Sequence, residues 1–355
     1  MASLLIRGGR VFDGERFTDA DVFVNDNVVE QIGTSIDAEA KIVFDAQGMT
    51  VLPGLIDGHM HIRGFSMDKW GAPAQAACWP FGITAAAECG TIKGNREALD
   101  ALGVQAVVYL AVGTRGETVT GLDRAESLLE TFGDAVVGIK VCYDCVGDPA
   151  LRSAAPLEQI CDFAHSRGLR VHVHTTSTPI PMAELLGTLD RGDVATHVYH
   201  GTENNITADD FRSVLDAKKR GVVIDTGFAG GWHVDFQIFA DAVAAGAAPD
   251  TISTDQVGPF LYTKGGRYGL PQCMSMARTM GMDEEAVFRA VTSAPADALG
   301  RPWGRLKVGS PADIAVLFWE NEPFFLKDRA GHTLQSDKGY RCKLTVSQGN
   351  IVYKD

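Results

Sequence analysis

From about residue 50 to about residue 300 the chain repeats one pattern eight times: a short apolar, β-branched run, then an amphipathic helical stretch. After an opening run at 51–56, strands are read at 83–88, 106–112, 136–141, 169–174, 194–200, 221–226 and 250–255. Helices are expected at 156–166, where Leu157, Ile160 and Phe163 share a face, at 181–189, at 207–220 with Thr207 as cap, and at 234–245. Strand–helix units in this order build a parallel sheet, and eight of them close it into an α/β fold, the (β/α)8 TIM barrel. A length of 355 residues lies within the range of one such barrel.

The two ends of the chain read differently. The first fifty residues are short alternating runs at 4–7, 10–12, 22–24, 28–32 and 42–45, with turns at Asp13-Gly14 and Asn25-Asp26-Asn27, which predicts a small antiparallel sheet. From about Arg305 the same style returns, at 314–318, 343–346 and 351–353. Neither piece can bury a core alone, so the two are expected to pack together as a small β-sandwich domain built from both chain ends. The division expected is 1–52 with 305–355 for the sandwich, and 53–304 for a barrel carrying metallohydrolase chemistry.

Composition narrows the partners. The formal charge is −13 and no basic arm is present, which argues against nucleic acid. The longest apolar runs, such as 106–112, are too short to span a bilayer, and no basic segment followed by a long apolar one opens the chain. No membrane association and a cytoplasmic location are expected. Seven cysteines spread over the chain suit reduced thiols rather than a disulfide framework. Cys142 and Cys145 form a C-x-x-C with no second pair to complete a four-sulfur site, and are read as ordinary small buried residues.

Active sites of barrels lie at the C-terminal ends of the strands, and there the chain concentrates metal ligands. His59 and His61 stand two apart on the first strand, so both rings face the same way. Strand four supplies Lys140, strand five His172 and His174, strand six His197 and His200, and strand eight Asp255. Neutral imidazole is the commonest side-chain metal ligand, and three pairs opening on one mouth with a carboxylate read as a metal site. Lys140 follows the apolar run 136–139, where an ammonium must be neutralised. Either its amine reaches a carboxylate at the rim, or carbon dioxide has converted it to a carbamate able to bridge two cations.

These motifs, GLIDGHMHIR, the GIK strand, GLRVHVH, GDVATH, DTISTD and the tail GRLKVGSPADIAVL, resemble the amidohydrolase superfamily over essentially the whole chain. The order His-x-His, Lys, His, His, Asp is similar to its binuclear dihydroorotase, hydantoinase and N-acyl amino acid deacetylase branch. The resemblance implies two divalent metal ions, most simply Zn2+. His59, His61 and Asp255 would hold one, His174 and His197 the other, and a carbon dioxide-derived carbamate on Lys140 would bridge them. His174 is preferred to His172, which lies a layer deeper. By the same resemblance Arg63, completing His-x-His-x-Arg, would bind a substrate carboxylate. Tyr143 would donate to a carbonyl oxygen, and His200 is read as substrate-facing.

Two cations a few ångströms apart make hydroxide from a shared water near neutral pH, and one polarises the carbonyl under attack. Asp255 would take the water's proton and deliver it to the leaving nitrogen. The expected function is therefore metal-dependent hydrolysis of a C–N amide bond, N-acyl or cyclic, in a small-molecule amide, cyclic amide or imide substrate, with Asp255 as the catalytic base and acid. A mononuclear deaminase would not need Lys140. Lactone or ester hydrolysis uses the same hydroxide, and a non-catalytic relative would be expected to have lost ligands. Relatives commonly form homo-oligomers, and one is expected here. Substrate choice would rest on loops above the strands, among them 63–79, 142–155, 175–181, 228–233 and 256–270.

Overall fold

The computed structural model describes residues 3–66, 69–263 and 267–355. Residues 67, 68 and 264–266, in two of the loops named above, lie outside the described residues. In chain order the strands are β1 (Leu4–Phe12), β2 (Phe17–Asn25), β3 (Val28–Gly33), β4 (Ile42–Asp45), β5 (Thr50–Pro53), β6 (Leu55–Met60), β7 (Ile83–Thr91), β8 (Gln105–Arg115), β9 (Thr118–Thr120), β10 (Val136–Cys142), β11 (Arg170–His174), β12 (Val194–Thr196) and β13 (Val223–Asp225). The C-terminal segment adds β14 (Ile314–Glu320), β15 (Phe324–Lys327), β16 (Thr333–Ser336), β17 (Gly339–Ser347) and β18 (Asn350–Lys354).

Seven strands, in the order β6-β7-β8-β10-β11-β12-β13, pair in parallel, with β9 folded back on β8. The eighth position is filled by the segment 251–256, which forms no regular ladder. Thr251 bridges Asp225 and Gln256 bridges Met60, both in parallel, and Asp255 N–H donates to His59 O at 2.8 Å. The curled sheet matches a (β/α)8 barrel. The eighth segment is irregular because its own side chains compete with the ladder. Ser253 Oγ donates to Asp225 at 2.6 Å and Thr254 Oγ1 to Asp57 at 2.5 Å. The apolar core lies between the sheet and its helices, with Leu110, Ile139, Val173 and Ile224 among its fully buried members.

The run read as one opening strand is two. β5 joins the terminal sheet and β6 the barrel, and the break falls at Gly54, where a Cβ would stand 2.1 Å from Thr84 Oγ1. Both chain ends enter one eight-stranded sheet, ordered β18-β17-β14-β5-β1-β2-β3 with β4 beside β1. It is mixed rather than antiparallel throughout, since β1 runs parallel to β4 and β5. Val22, Val51, Ile314 and Leu344 are buried in its own apolar cluster.

The helices Ala155–His165 and Met182–Thr188 lie close to their expected bounds. The helix expected over 207–220 is broken. A 3-10 turn Ile206–Asp209, capped by Asn205 rather than Thr207, precedes Arg212–Arg220, and left-handed Asp210 and Phe211 separate them. The helix Phe236–Ala244 begins at Asp235, whose carboxylate accepts from Gln237 and Ile238 N–H. All seven cysteines are free thiols, but Cys142 is exposed and Cys145 half-buried, so that pair is not part of the core. Among the described residues no helix is long and apolar enough to cross a membrane.

Candidate metal centre

His59 and His61 leave the end of β6 on the same side of the barrel and meet Asp255 from the eighth segment. Asp255 Oδ1 lies 3.4 Å from His59 Nε2 and 3.2 Å from His61 Nε2. Asp255 Oδ2 lies 3.8 Å from His197 Nε2 and 3.9 Å from His233 Nε2. One carboxylate thus faces four imidazoles. The expected residues His174 and His197 also come together, with ring centres 4.5 Å apart. His197 follows β12 with φ 65° and Asp255 has φ 50°. Non-glycine residues rarely hold that left-handed conformation, which clusters at functional sites.

The hydrogen-bond network fixes which nitrogens carry protons. Thr196, Ser253 and Thr251 hydroxyls donate to the buried Asp225 carboxylate at 2.7, 2.6 and 2.7 Å. With its one proton engaged there, Thr196 Oγ1 accepts from His59 Nδ1 at 3.1 Å. That leaves the lone pair of His59 on Nε2, facing Lys140 and Asp255. His197 Nδ1 donates to Gly227 O at 2.7 Å, so its free lone pair also lies on Nε2. Gly227, at φ +48°, makes that bond possible: a Cβ there would stand 2.4 Å from His197 Nδ1.

Charge distribution favours neutral rings. Burial holds His59 well below the usual imidazole value, helped by the Lys140 charge, and holds His174 and His197 there with help from His233. His61 differs: burial pulls it down, but the hydrogen bond and charge of Asp255 outweigh this and the net shift is upward. Lys140 is buried at 4% exposure, with Nζ 3.3 Å from His59 Nε2. Among the described residues no carboxylate forms an ion pair with it, so the rim carboxylate expected as one alternative is not found.

The remaining expected residues stand apart from this cluster in different ways. His172 lies deeper, its ring 4.7 Å from that of His59 and its Nδ1 3.6 Å from Cys89 Sγ. His200 is buried, and burial lowers it to about 4. Arg63 is exposed at the rim. The Tyr143 hydroxyl, expected to face a substrate carbonyl, instead donates to Ser153 O at 2.5 Å, and the side chain is fully buried.

Two residues were overlooked in the sequence. His233 comes from the loop after β13, through the turn Ala229–Gly231, and its ring centre lies 4.2 Å from that of His197 and 4.9 Å from that of His174. Glu88, on β7, is fully buried; it accepts from Ile62 N–H and has its other oxygen 3.9 Å from His61 Nδ1. Burial raises Glu88 to about 7. For Glu88 the available signal was a carboxylate near the C-terminal end of an otherwise apolar strand; for His233, in the loop after β13, there was none.

Ligand atoms of His174, His197 and His233 can lie within 4.8 Å of one another, as can those of His59, His197 and Asp255. Buried His233 Nδ1 has no hydrogen-bond partner among the described residues. The lone pairs of His59 and His197 on Nε2, with a shared carboxylate, fit a divalent-metal centre.

A model of the amidohydrolase family matches residues 50–352, and the chain belongs to that family. It is thereby a hydrolase acting on C–N bonds. It is 25% identical over 374 residues to a deacetylase of Enterococcus faecalis, covering 98% of each chain. It is also 25% identical over 420 residues to a 5-methylthioadenosine/S-adenosylhomocysteine deaminase of Natronomonas pharaonis, covering 100% of this chain and 93% of that one. The fold superposes on a crystal structure of a dihydroorotase with a TM-score of 0.86 at 22% identity, covering 99% of this chain and 98% of that one.

Proposed function

We propose that the protein hydrolyses an N-acyl or cyclic C–N amide bond in a small molecule, using two divalent ions, most simply zinc. The observation that carries this reading is the convergence of His59, His61, His197 and His233 Nε2 on Asp255 at 3.2–3.9 Å, with Lys140 buried beside them and, among the described residues, without a carboxylate in an ion pair with it. His59, His61 and Asp255 would hold one ion, and His174 and His197, joined by His233, would hold the other. A carbamate on Lys140 would remove the charge of its buried amine and would offer oxygen ligands for metal. The deacetylase and dihydroorotase likenesses support an amide substrate.

When bound, the ions make a water acidic enough to attack and polarise the amide carbonyl. The chain's own residues do the rest. Thr196 and Gly227 orient the His59 and His197 rings, and the backbone bond from Asp255 N–H to His59 O sets the carboxylate. Asp255 receives the attacking water's proton on a carboxylate oxygen and passes it to the leaving nitrogen. Arg63 and His200 face the substrate. Tyr143 acts through its bond to Ser153 in shaping the loop after β10. The terminal strands, 1–52 and 305–355, form a small β-sandwich domain on the 53–304 barrel, and the protein works as a cytoplasmic homo-oligomer.

The likeness to a deaminase supports a second reading, with one metal and no role for a lysine carbamate. Turnover of a panel of N-acyl amino acids, cyclic amides and aminopurines by wild type and Asp255→Asn tests both. Amide hydrolysis with a loss of about 10²–10⁴-fold in Asp255→Asn is expected. Aminopurine turnover alone, or an Asp255→Asn variant of full activity, would overturn the reading.

A further inference from the structure

We propose that Asp328, on the turn of the β15–β16 hairpin, is a positioning residue for the metal centre: it clamps the segment 231–236 and so sets where the His233 ring stands. The proposal rests on the two-metal reading, in which His233 joins His174 and His197 at one ion.

His233 lacks the ring anchor that its neighbours have. Thr196 holds His59 through Nδ1, and Gly227 O holds His197. His233 Nδ1 is buried and makes no hydrogen bond among the described residues. The residue belongs to no strand or helix; it falls between the turn Ala229–Gly231 and the helix Phe236–Ala244. The position of its ring therefore follows from how the backbone on either side is held.

Both flanks are held by the hairpin. At the first, a Cβ on Gly231 would stand 3.0 Å from Lys327 O, so the end of β15 lies directly against the turn. At the second, the fully buried Asp328 carboxylate accepts from Phe236 N–H at 2.9 Å, across 92 residues of chain. Asp235 is the cap of that helix and accepts from Gln237 and Ile238 N–H at 2.9 and 3.1 Å. Two carboxylates thus satisfy the first three N–H groups of the helix, and one of the two comes from the tail of the chain.

The clamp is itself fixed. Asp328 Oδ1 accepts from Gly331 and His332 N–H at 2.7 and 2.8 Å, which closes the hairpin turn on its own carboxylate. His332 Nδ1 lies 3.1 Å from Asp328 Oδ2 and 3.3 Å from Asp235 Oδ1. Ionised carboxylates only accept, so Nδ1 carries the hydrogen and ties the hairpin to the helix cap. Groups that orient metal-binding histidines are worth about 10–100-fold in metal affinity. Asp328 would do for His233 through the backbone what Thr196 and Gly227 do for their rings directly.

A double-mutant cycle separates this role from a merely structural one. Zn2+ affinity is measured by competition with a chelator for wild type, Asp328→Ala, His233→Ala and the double variant, with thermal midpoints to confirm that each is folded. Asp328→Ala should weaken the binding of one ion about 10–100-fold. Adding it to His233→Ala should change the affinity less than about twofold, because the ring it positions is gone. Equal affinity in wild type and Asp328→Ala, or an equal loss in both backgrounds, would overturn the proposal and leave the two-metal reading standing. A wild type that binds no Zn2+ would overturn both. Should Asp328→Ala fail to fold, the same cycle with His332→Ala decides, since that exposed ring carries one bond of the clamp. A loss of about fivefold that vanishes in the His233→Ala background supports the proposal; no loss, or an equal loss in both backgrounds, rejects it.

Discussion

Gly227→Ala isolates the tightest steric requirement of the centre. The new methyl would stand 2.4 Å from His197 Nδ1 and 2.5 Å from Thr196 Oγ1, about 1 Å short of ordinary contact. Both neighbours are anchored, His197 through Gly227 O and Thr196 through Asp225, so neither yields freely. Overpacking of this kind costs about 1–3 kcal/mol, and alanine at a left-handed φ about 1–2 kcal/mol more. A destabilisation of about 2–5 kcal/mol is expected if the ring stays in place. If the ring swings away, stability is spared and the metal content expected from the proposed centre falls. Thermal unfolding and elemental analysis of the same preparation read both routes. A variant with wild-type midpoint and wild-type metal content would refute the packing argument, because one of the two must change.

Further variants separate the residues around the centre. Glu88→Gln should weaken metal binding about 10–100-fold by loosening His61, measured by competition with a chelator; unchanged affinity would make Glu88 a core residue only. Tyr143→Phe should lower stability by about 1 kcal/mol through loss of the bond to Ser153 O, with kcat/KM within about twofold of wild type. A loss of kcat/KM without loss of stability would return Tyr143 to a role at the substrate.

His59, His61 and His174 were legible because strand periodicity alone tells which side chains share a face and which end of a parallel strand opens on the mouth. His233 was not, since it reaches the cluster through the turn Ala229–Gly231 after β13 has ended. Glu88 was hidden inside an otherwise apolar strand of the form Ile-Thr-Ala-Ala-Ala, where a carboxylate gives no periodic signal. The split between β5 and β6 was missed although it falls at Pro53-Gly54, a dipeptide that marks turns, and the missing Cβ of Gly54 leaves room for Thr84. Strand eight shows the reverse. Asp255 could be placed at the mouth from sequence, but the irregular backbone of its segment depends on hydroxyls of 251–254 finding Asp57 and Asp225 across the barrel. Long-range side-chain partners of this sort have no local sequence pattern. The β15–β16 hairpin is short, and it was missed along with Asp328 on its turn.

The proposed chemistry requires a centre of two ions joined through Lys140. Elemental analysis of wild type and Lys140→Ala, both purified without chelator, tests it directly. About two divalent ions per chain in wild type, falling to one or fewer in Lys140→Ala, is the result expected from a bridging carbamate. A single ion per wild-type chain, retained in full by Lys140→Ala, would contradict it.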